Sequence, residues 1–334
     1  MMTGKLMQKI TNEIGVVIIG RNEGDRLVKC IESAKTQIDK IIYVDSNSSD
    51  NSIQNANERE VETVQLDMSI PFSAARARNV GWQSLVEKYP QLKYIHFIDG
   101  DCTFFDDWIS KAHGFLDNHP NYAVVCGKRC EKFPDNSIYN ALCDVEWDTP
   151  TGDALSCGGD ALITIKALQN VSGYTNRFIA GEEPEMCFRM RNKGWKIHRL
   201  DANMTHHDAA ISKFSQWWKR AKRCGYAYAL GFDAHGNSPE KYKKKQLVSS
   251  LVWGAIFPIF TIFCAITLSP ACLILLGMYP FQIWRLYRSS ELNKPLRTKW
   301  ACLIVIAKFP ESLGVLEFYL HKVLRKQSTL IEYK

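Results

Sequence analysis

Short apolar runs alternate with stretches of helical spacing through the first hundred residues, and this alternation is the strongest constraint on the fold. The predicted strands are residues 14–19, 41–44, 61–66 and 93–98, and all but the third are apolar runs typical of buried strands. The stretches typical of amphipathic helices are residues 26–36 and 73–88. Strands separated by helices predict an α/β fold with a mostly parallel sheet and crossover helices on its faces. With 334 residues, the chain is long enough for one large α/β domain and a second element.

Two carboxylates directly follow the fourth predicted strand, residues 93–98, in the triplet Asp99-Gly100-Asp101. In open α/β sheets, ligands bind at the carboxyl ends of the strands. Mg²⁺ and Mn²⁺ take oxygen ligands and commonly share their coordination shell between one or two carboxylates and substrate phosphates. The triplet therefore predicts a divalent cation that holds a diphosphate, and the alternative is an Asp-Gly-Asp turn that binds nothing.

Polar side chains also follow the other predicted strands. Glu23 and Asp45 lie just past the first two strands, where they could accept hydrogen bonds from a ribose hydroxyl and a base. Asp45 could instead only cap the turn that follows it. Arg76, Arg78 and Asn79 lie in the first turns of a predicted helix, where they could reach a phosphate or pair on the surface. From these helical positions, Arg76 and Arg78 cannot both point at the same site.

Four motifs in this order resemble the nucleotide-sugar half of glycosyltransferase family 2. They are residues 17–23 (VIIGRNE), 44–50 (VDSNSSD), 75–81 (ARARNVG) and 98–101 (IDGD). The resemblance implies a GT-A fold, which is a Rossmann-like sheet that binds a nucleoside diphosphate sugar. The positions it assigns to the donor are Arg21, Glu23, Asp45, Arg76, Asn79, Asp99, Gly100 and Asp101.

A second acidic segment, Gly181-Glu182-Glu183, begins a predicted helix that ends at Lys193-Gly194. Glutamates in a first turn are favoured by the helix dipole whatever their function. The resemblance identifies this pair with the family's acidic catalytic motif, usually Glu-Asp, and implies that Glu183 is the catalytic base. Because the second residue here is Glu, the choice between Glu182 and Glu183 stays open.

Two adjacent histidines, His206 and His207, follow a strand-like segment at residues 196–200. A neutral imidazole can complete a metal shell or contact a diphosphate, and enzymes with the GT-A fold often have a histidine in this place. Adjacent side chains on an extended backbone point in opposite directions, so both histidines cannot easily serve the same cation. We expect His207 to be the ligand.

The remaining candidates concern the sugar and the acceptor. Gly159 and Asp160 lie in a glycine-paired turn that runs into a strand, where small residues permit close approach of a sugar, although a purely structural turn is an equal alternative. Trp218, Arg220 and Arg223 lie on a basic, aromatic helix. The two arginines could meet a pyrophosphate or a lipid phosphate, or they could form a solvated helix face.

The composition changes sharply near the C-terminus. Residues 247–284 carry almost no charge and are long enough for two spans of about 20 residues, turning near Ser269-Pro270. Basic residues on both flanks predict that both ends lie on the cytosolic side. An interfacial or re-entrant pair of helices that never crosses is the alternative. Residues 300–324 are apolar but broken by charges, as in a helix that lies in the membrane plane.

Charge, cysteine usage and the N-terminus predict the location. The net charge is +7 with basic residues gathered late in the chain, which favours anionic lipid headgroups over nucleic acid as partners. Eleven scattered cysteines, an odd number, argue against a disulfide framework and favour a reducing compartment. Residues 1–13 lack the apolar core of a secretory signal. We expect an inner, cytoplasmic membrane location with the catalytic domain on the cytosolic face; the oligomeric state stays open.

These observations predict a GT-A catalytic domain in residues 1–240 and a membrane-associated helical region in residues 241–334. The expected function is metal-dependent inverting transfer of a sugar from a nucleoside diphosphate sugar to a lipid-linked or polysaccharide acceptor, in cell-envelope or exopolysaccharide synthesis. Asp101, assisted by Asp99, is expected to hold Mg²⁺ or Mn²⁺.

Two alternatives remain. A nucleotidyltransferase would normally have a glycine- and lysine-rich phosphate loop after the first strand, where residues 20–24 are acidic and short. A catalytically idle membrane scaffold of the same fold would bind no nucleotide in the presence of Mn²⁺.

Overall fold

The computed structural model describes residues 10–326. Contacts divide the chain into two compact units. The first runs to Phe133 and resumes from Cys143 to Ala209, and the second comprises Pro134–Leu142 and the chain from Ala210 onward. The boundary predicted between residues 240 and 241 differs from this division and stays a prediction.

One sheet of nine strands forms the centre of the first unit within the described residues. The strands are β1 (Ile14–Gly20), β2 (Ile41–Asp45), β3 (Glu62–Gln65), β4 (Tyr94–Asp99), β5 (Cys102–Phe104), β6 (Tyr122–Glu131), β7 (Gly152–Ala154), β8 (Ala161–Thr164) and β9 (Lys196–His207). Their order is β3-β2-β1-β4-β8-β6-β9-β5, with β7 paired to β9.

The helices connect these strands and continue beyond them. They are α1 (Asp25–Lys35), α2 (Ser52–Asn57), α3 (Ala74–Lys88), α4 (Trp108–Asn118), α5 (Ile138–Trp147), α6 (Ile165–Asn170), α7 (Glu182–Asn192), α8 (Phe214–His235), α9 (Lys244–Leu251), α10 (Phe257–Thr267), α11 (Met278–Ser289), α12 (Lys294–Ile306) and α13 (Lys308–Val323). Short 3₁₀ segments at Pro134–Asn136 and Pro270–Gly277 and a π-helical segment at Val252–Ile256 complete the list.

The first half of the sheet is parallel, as the alternation predicts. β1 pairs in parallel with both β2 and β4, and β2 pairs in parallel with β3. β1, β2 and β4 are almost entirely buried, as their apolar sequences predict for strands covered on both faces. Gly20, Asp45 and Asp99 consequently reach the same edge of the sheet, since Gly20 pairs with Asp45 and Ile19 with Asp99.

The second half is mixed rather than parallel, which the alternation did not predict. β8 lies antiparallel between β4 and β6, whereas β6 and β9 are parallel with irregular register. β5 and β7 pair antiparallel with β9. This arrangement brings the C-terminal part of β9 beside the residues that follow β4.

A glycine lets α3 approach the sheet closely. A Cβ atom at Gly81 would overlap Cγ1 of Val17 on β1 and would lie 3.1 Å from Cγ2 of Val44 on β2. Both valines are fully buried. α3, and with it the residues in its first turns, can take this position only because residue 81 has no side chain.

In the second unit, glycines similarly let α8 and α13 pack together. A Cβ at Gly225 would overlap the carbonyl oxygen of Glu311, and one at Gly314 would overlap the carbonyl oxygen of Lys222. Lys222 also forms an ion pair with Glu317 at 2.9 Å. Small residues at a helix crossing allow this close backbone approach.

Lys244–Thr267 is a continuous helix of 24 residues, and it is the one helix among the described residues that is long and apolar enough to cross a membrane. The predicted second arm of the hairpin is divided into the 3₁₀ segment Pro270–Gly277 and α11. The predicted interfacial helix corresponds to α12 and α13, which meet at Ala307. Crossing and interfacial placement both stay predictions.

We expect Gly81→Ala to lower the free energy of unfolding by about 1–3 kcal/mol, because the added methyl group overpacks the contact between α3 and the sheet. Urea denaturation followed by circular dichroism measures this change. Gly114→Ala on α4 is the matched control, since a Cβ there meets no atom within 4 Å. Alanine is a better helix former by about 1 kcal/mol, so the control should be neutral or stabilising. Equal behaviour of the two variants would contradict the packing argument.

Candidate active site

A buried arginine links three carboxylates at the edge of the sheet where β1, β2 and β4 end. Arg78 on α3 is 2% exposed. Its Nη2 lies 2.8 Å from Oδ1 of Asp99, and its Nη1 lies 2.9 Å from Oε1 of Glu182 and 3.0 Å from Oε1 of Glu183. The strand end, α3 and the start of α7 thus converge on one guanidinium group.

One positive charge is too little for three carboxylates, and the surplus acts on Glu183. Burial, followed by the charge of the neighbouring Glu182, raises the pKa of Glu183 to about 7, and Arg78 opposes the shift. Burial alone would lower the pKa of Arg78, but Glu183, Asp99 and Glu182 raise it well above its usual value. Arg78 therefore stays charged while Glu183 can gain or lose a proton near neutral pH.

Asp101 and His207 form the second part of the site. Nε2 of His207 lies 3.2 Å from Oδ2 of Asp101, and both residues are buried. The Trp147 ring stacks on the imidazole at 4.6 Å, and Nη1 of Arg129 lies 3.3 Å from Nδ1 of His207. Because an arginine only donates, this contact assigns the imidazole proton to Nε2, which donates to Asp101. In this tautomer His207 donates to the Asp101 carboxylate and so orients it.

His206 faces away from this group. Its ring lies 4.2 Å from that of Phe105, and burial followed by the charge of Lys132 lowers its pKa. The opposite orientations follow from the extended backbone of β9. Thr205, two residues before His207, faces the same way as His207 and donates to Asp160 at 2.6 Å.

The donor set near Asp101 fits a hard divalent cation. Asp101, Cys102 and His207 have ligand atoms close enough to hold an ion. Burial, followed by Asp160 and Asp101, raises the pKa of the Cys102 thiol well above its usual value, so the soft sulfur stays protonated. Carboxylate oxygen is the ligand that Mg²⁺ and Mn²⁺ prefer. Asp101 is consequently the primary candidate ligand.

Asp160 holds the backbone of Asp99 at the end of β4. It is fully buried, and its Oδ1 accepts a hydrogen bond from the Asp99 backbone at 3.3 Å. Its Oδ2 lies 3.1 Å from Nε of Arg129. In the structure Asp160 accepts from the Asp99 backbone and so fixes the strand end, and its predicted place in the acceptor or sugar pocket stays a prediction.

Gly159 lies against three charged groups. A Cβ there would lie 2.7 Å from Oδ2 of Asp99, 2.8 Å from Nη2 of Arg78 and 3.2 Å from Nη2 of Arg129. Only a glycine leaves room for this arrangement of side chains, and the predicted close approach of a sugar at this turn stays a prediction. The adjacent Gly158 is less constrained, since its Cβ would lie 3.4 Å from Arg129.

Arg129 was missed by the sequence interpretation. It lies on β6, pairs in register with Thr205, and is held 5.4 Å from the Trp147 ring. Its Nη2 is buried without a hydrogen-bond partner among the described residues. A basic residue at the end of the apolar run of β6 was the only available signal, because nothing local shows that β6 joins the acidic strand end through β8.

Arg76 and Asn79 are held by the protein itself. Arg76 donates to the carbonyl oxygens of Ile70 at 2.7 Å and Pro71 at 2.9 Å, so it anchors the loop before α3. Asn79 donates to the Tyr174 carbonyl at 2.7 Å and accepts from the Tyr174 backbone at 2.9 Å. The structure thus separates the neighbouring arginines as expected, and places Arg78, rather than the assigned Arg76, at the acidic cluster.

The predicted nucleoside residues also have internal contacts. Asp45 is fully buried and accepts hydrogen bonds from the Tyr43 hydroxyl and the Ser48 backbone, both at 2.8 Å. Glu23 forms an ion pair with Arg26 at 2.8 Å. These contacts correspond to the turn-capping alternative for Asp45.

Arg21 and Gly100 complete the assigned donor set in the first unit. The Arg21 guanidinium lies 4.7 Å from the centre of the Phe72 ring. The Gly100 backbone donates to the Ile19 carbonyl at 2.8 Å, and a Cβ there would lie 3.2 Å from Cγ of Glu23. For all of these positions, donor binding stays a prediction.

Trp218, Arg220 and Arg223 lie on α8 in the second unit and are half-buried. The ring centres of Trp218 and Phe214 are 5.6 Å apart. The predicted acceptor role of these three residues stays a prediction.

The comparisons with known proteins agree with this geometry. Residues 15–152 match the profile of the family described as glycosyl transferase family 2. The fold is similar to that of a mannosyltransferase from Pyrobaculum calidifontis in complex with GDP-Man and Mn²⁺, with a TM-score of 0.60 and 15% identity over 91% of this chain and 87% of that chain. A search of curated proteins gave no match.

The fold is also similar to that of glucosyl-3-phosphoglycerate synthase from Mycobacterium tuberculosis in complex with Mn²⁺, UDP and glucosyl-3-phosphoglycerate. The TM-score is 0.51 and the identity 16%, over 70% of this chain and 84% of that chain. The predicted α/β fold of the GT-A type is therefore confirmed, and a C-terminal helical region is present.

We expect His207→Gln to weaken Mn²⁺ binding by about 10–100-fold, because the residue that orients or completes the ligand set is lost. Calorimetric titration of Mn²⁺ into the chain, with GDP or UDP present, measures the affinity. His206→Gln is the matched control on the opposite face of β9 and should leave the affinity unchanged. The same loss in both variants would show that His207 has no specific role at the cation.

We expect Gly159→Ala to lower transferase turnover by about 100-fold, because the methyl group displaces the Asp99 and Arg78 groups from their positions. Steady-state kinetics with the accepted donor measures this loss. Gly158→Ala should retain most of the turnover, since its Cβ makes only an ordinary contact with Arg129. Full turnover in Gly159→Ala would refute the proposed constraint.

Proposed function

We propose metal-dependent, inverting sugar transfer from a nucleoside diphosphate sugar for this glycosyltransferase, whose residues 15–152 form a glycosyltransferase family 2 domain. One observation carries the proposal: Arg78 links the strand-end carboxylate Asp99 to the acidic pair Glu182 and Glu183. Asp99, at the candidate site for the donor phosphate, and Glu183, the candidate base, therefore both contact the Arg78 guanidinium.

Asp101, with Asp99, would hold Mg²⁺ or Mn²⁺, and His207 would orient or join that set. A buried carboxylate oxygen beside an imidazole suits either cation. When bound, the cation supplies positive charge that stabilises the leaving diphosphate. Support comes from the similar proteins whose structures contain Mn²⁺ with GDP-Man or UDP.

Glu183 is the proposed general base. Its ionised carboxylate accepts the proton of the acceptor hydroxyl while that oxygen attacks the anomeric carbon and the bond to the diphosphate breaks. A base whose pKa lies near the working pH is the most effective compromise between being ionised and being basic. The pKa of Glu183, raised to about 7 chiefly by burial, meets this condition. Arg78 holds Oε1 of the carboxylate and so fixes its direction.

Arg129 is the second basic group of the site. Its Nε is engaged by Asp160, while its Nη2 is buried without a partner among the described residues. A guanidinium nitrogen in this state can donate to a phosphate oxygen of the donor. We assign Arg129 this role beside the cation.

The acceptor and the location are the less constrained parts of the proposal. A membrane-attached enzyme of the cytoplasmic face would meet a lipid-linked or polysaccharide acceptor at high local concentration. The helix Lys244–Thr267 supports this attachment, because it is apolar and long enough to cross a membrane. Cell-envelope or exopolysaccharide synthesis is the process we assign on this basis.

A donor screen tests the reaction class. We expect the full chain with Mn²⁺ to release a nucleoside diphosphate from one or a few members of a panel of nucleotide sugars, and Asp101→Asn to abolish that release. Chromatographic analysis of the nucleotide products measures it. Pyrophosphate as the product would identify a nucleotidyltransferase instead. Absence of Mn²⁺-dependent nucleotide binding would favour the idle scaffold.

We expect turnover to fall about tenfold per pH unit below the pKa of Glu183, because protonation removes the base, and to level off above pH 7. Glu183→Gln should lower kcat by about 10²–10⁴-fold and remove this inflection. The pH profile of kcat with the accepted donor measures both effects.

Glu182→Gln is the matched control for the base. It should keep the inflection but move it to lower pH, because the charge of Glu182 raises the pKa of Glu183. If Glu182→Gln removed the inflection and Glu183→Gln retained it, the two roles would be exchanged.

A further inference from the structure

A small cavity with a basic lining lies among the apolar helices of the second unit. Its volume is about 150 Å³. The lining residues are Ser249, Trp253, Tyr279, Gln282, Arg285, Leu286, Ile304, Val305 and Lys308. At about 30 Å³ per water molecule, the cavity has room for a small polar group such as a phosphate but not for a whole lipid. The lining contains two cationic side chains and no carboxylate, so it favours an anion.

Backbone irregularity shapes the wall of this cavity. The helix that begins at Lys244 has a π-helical segment at Val252–Ile256, and such segments frequently occur at functional sites. The Tyr279 hydroxyl donates to the Trp253 carbonyl at 2.6 Å. A Cβ at Gly254 would overlap the carbonyl oxygen of Lys308, so the start of α13 lies directly against this segment. Trp253, Tyr279 and Lys308 are thus fixed around one space.

The two cations differ in how far they are neutralised. Nζ of Lys308 lies 2.7 Å from Oε2 of Glu311, which also accepts from Ser250 at 2.6 Å. Arg285 is exposed, and its Nη2 donates to Oε1 of the uncharged Gln282 at 2.8 Å. Since a guanidinium has five N–H donors, Arg285 keeps charge and donors for a ligand. The cavity therefore retains about one positive charge.

The helices that contribute residues to this cavity also carry exposed apolar side chains. On the helix from Lys244 to Thr267, the most exposed are Ile256, Ile259, Phe260, Ile262, Phe263 and Ile266. On α11, Phe281 and Trp284 are more than half exposed. Exposed apolar side chains on the same helices as tryptophan, tyrosine and arginine are typical of the zone where a membrane meets water. Charge complementarity then indicates the anionic part of that zone.

We propose that this cavity binds the headgroup phosphate of an anionic membrane phospholipid, with Arg285 as the main contact and Tyr279, Gln282 and Lys308 around it. The proposal rests on the membrane association given under the proposed function. The lipid tails would lie along the exposed apolar side chains of Lys244–Thr267. Bound lipid would hold the second unit at the membrane surface in a defined orientation.

The test uses the full chain in a nonionic detergent and short-chain phosphatidylglycerol as the probe, with the affinity measured by calorimetry. We expect the chain to bind phosphatidylglycerol at least about tenfold more tightly than short-chain phosphatidylcholine, because only the first carries a net negative charge. Arg285→Gln should remove this preference. Arg285 is preferred to Lys308 for the test, because loss of Lys308 would leave the buried Glu311 without its cation and could prevent folding.

Arg288→Gln is the matched control, since Arg288 lies three residues further along α11, is exposed and does not line the cavity. It should retain the preference. Equal binding of the two lipids, or equal losses in Arg285→Gln and Arg288→Gln, would overturn the proposal. Inorganic phosphate that binds as tightly as phosphatidylglycerol, and with the same dependence on Arg285, would identify a free-phosphate site and overturn the assignment to lipid.

The transferase assay on the same preparations separates this proposal from the reaction. Lipid binding that depends on Arg285, in a chain that releases no nucleoside diphosphate from any sugar donor, would refute the reaction and leave the lipid site standing. Sugar transfer by a chain that shows no preference between the two lipids would refute the lipid site and leave the proposed reaction standing.

Discussion

The contact of one buried guanidinium with three carboxylates is the interaction on which the candidate active site depends. Arg78 joins residues from a strand end and from the start of a helix more than eighty positions later in the chain, so it fixes them relative to each other. It also affects their chemistry, because its charge opposes but does not cancel the rise in the Glu183 pKa that burial and Glu182 cause. Truncation of Arg78 would leave buried, unpaired negative charges, so it would damage both folding and reaction.

The cation side of the site is built by strand geometry. Thr205 and His207 face the same way along β9, and through Asp160 and Asp101 they hold the two ends of the acidic triplet. The Arg129 side chain links these two contacts, because it lies against both Asp160 and His207. Such a network positions the carboxylates before any ligand arrives, and preorganisation of this kind reduces the cost of binding and reaction.

The second unit has a different physical character. Glycines at its helix crossings allow close packing of α8 with α13, while the helix from Lys244 to Thr267 exposes apolar side chains along its length. The cavity lined by Arg285 and Lys308 combines a cationic lining with exposed apolar side chains on the same helices. A site of that composition suits a ligand in which phosphate and hydrocarbon meet, so an anionic lipid matches it better than a soluble metabolite does.

The sequence by itself determined the alternation of strands and helices, the parallel half of the sheet and the acidic strand end, because these depend on local periodicity and on the few residues that chemistry requires. It also indicated that one of the two nearby arginines would face the site, and it favoured His207 over His206. Only the tertiary structure decided that the arginine is Arg78, and only it placed Arg129 and Asp160 in contact with each other beside the acidic strand end. Those outcomes depend on the antiparallel insertion of β8 and the register of β6 with β9, which are non-local pairings that leave no periodic signal in the chain.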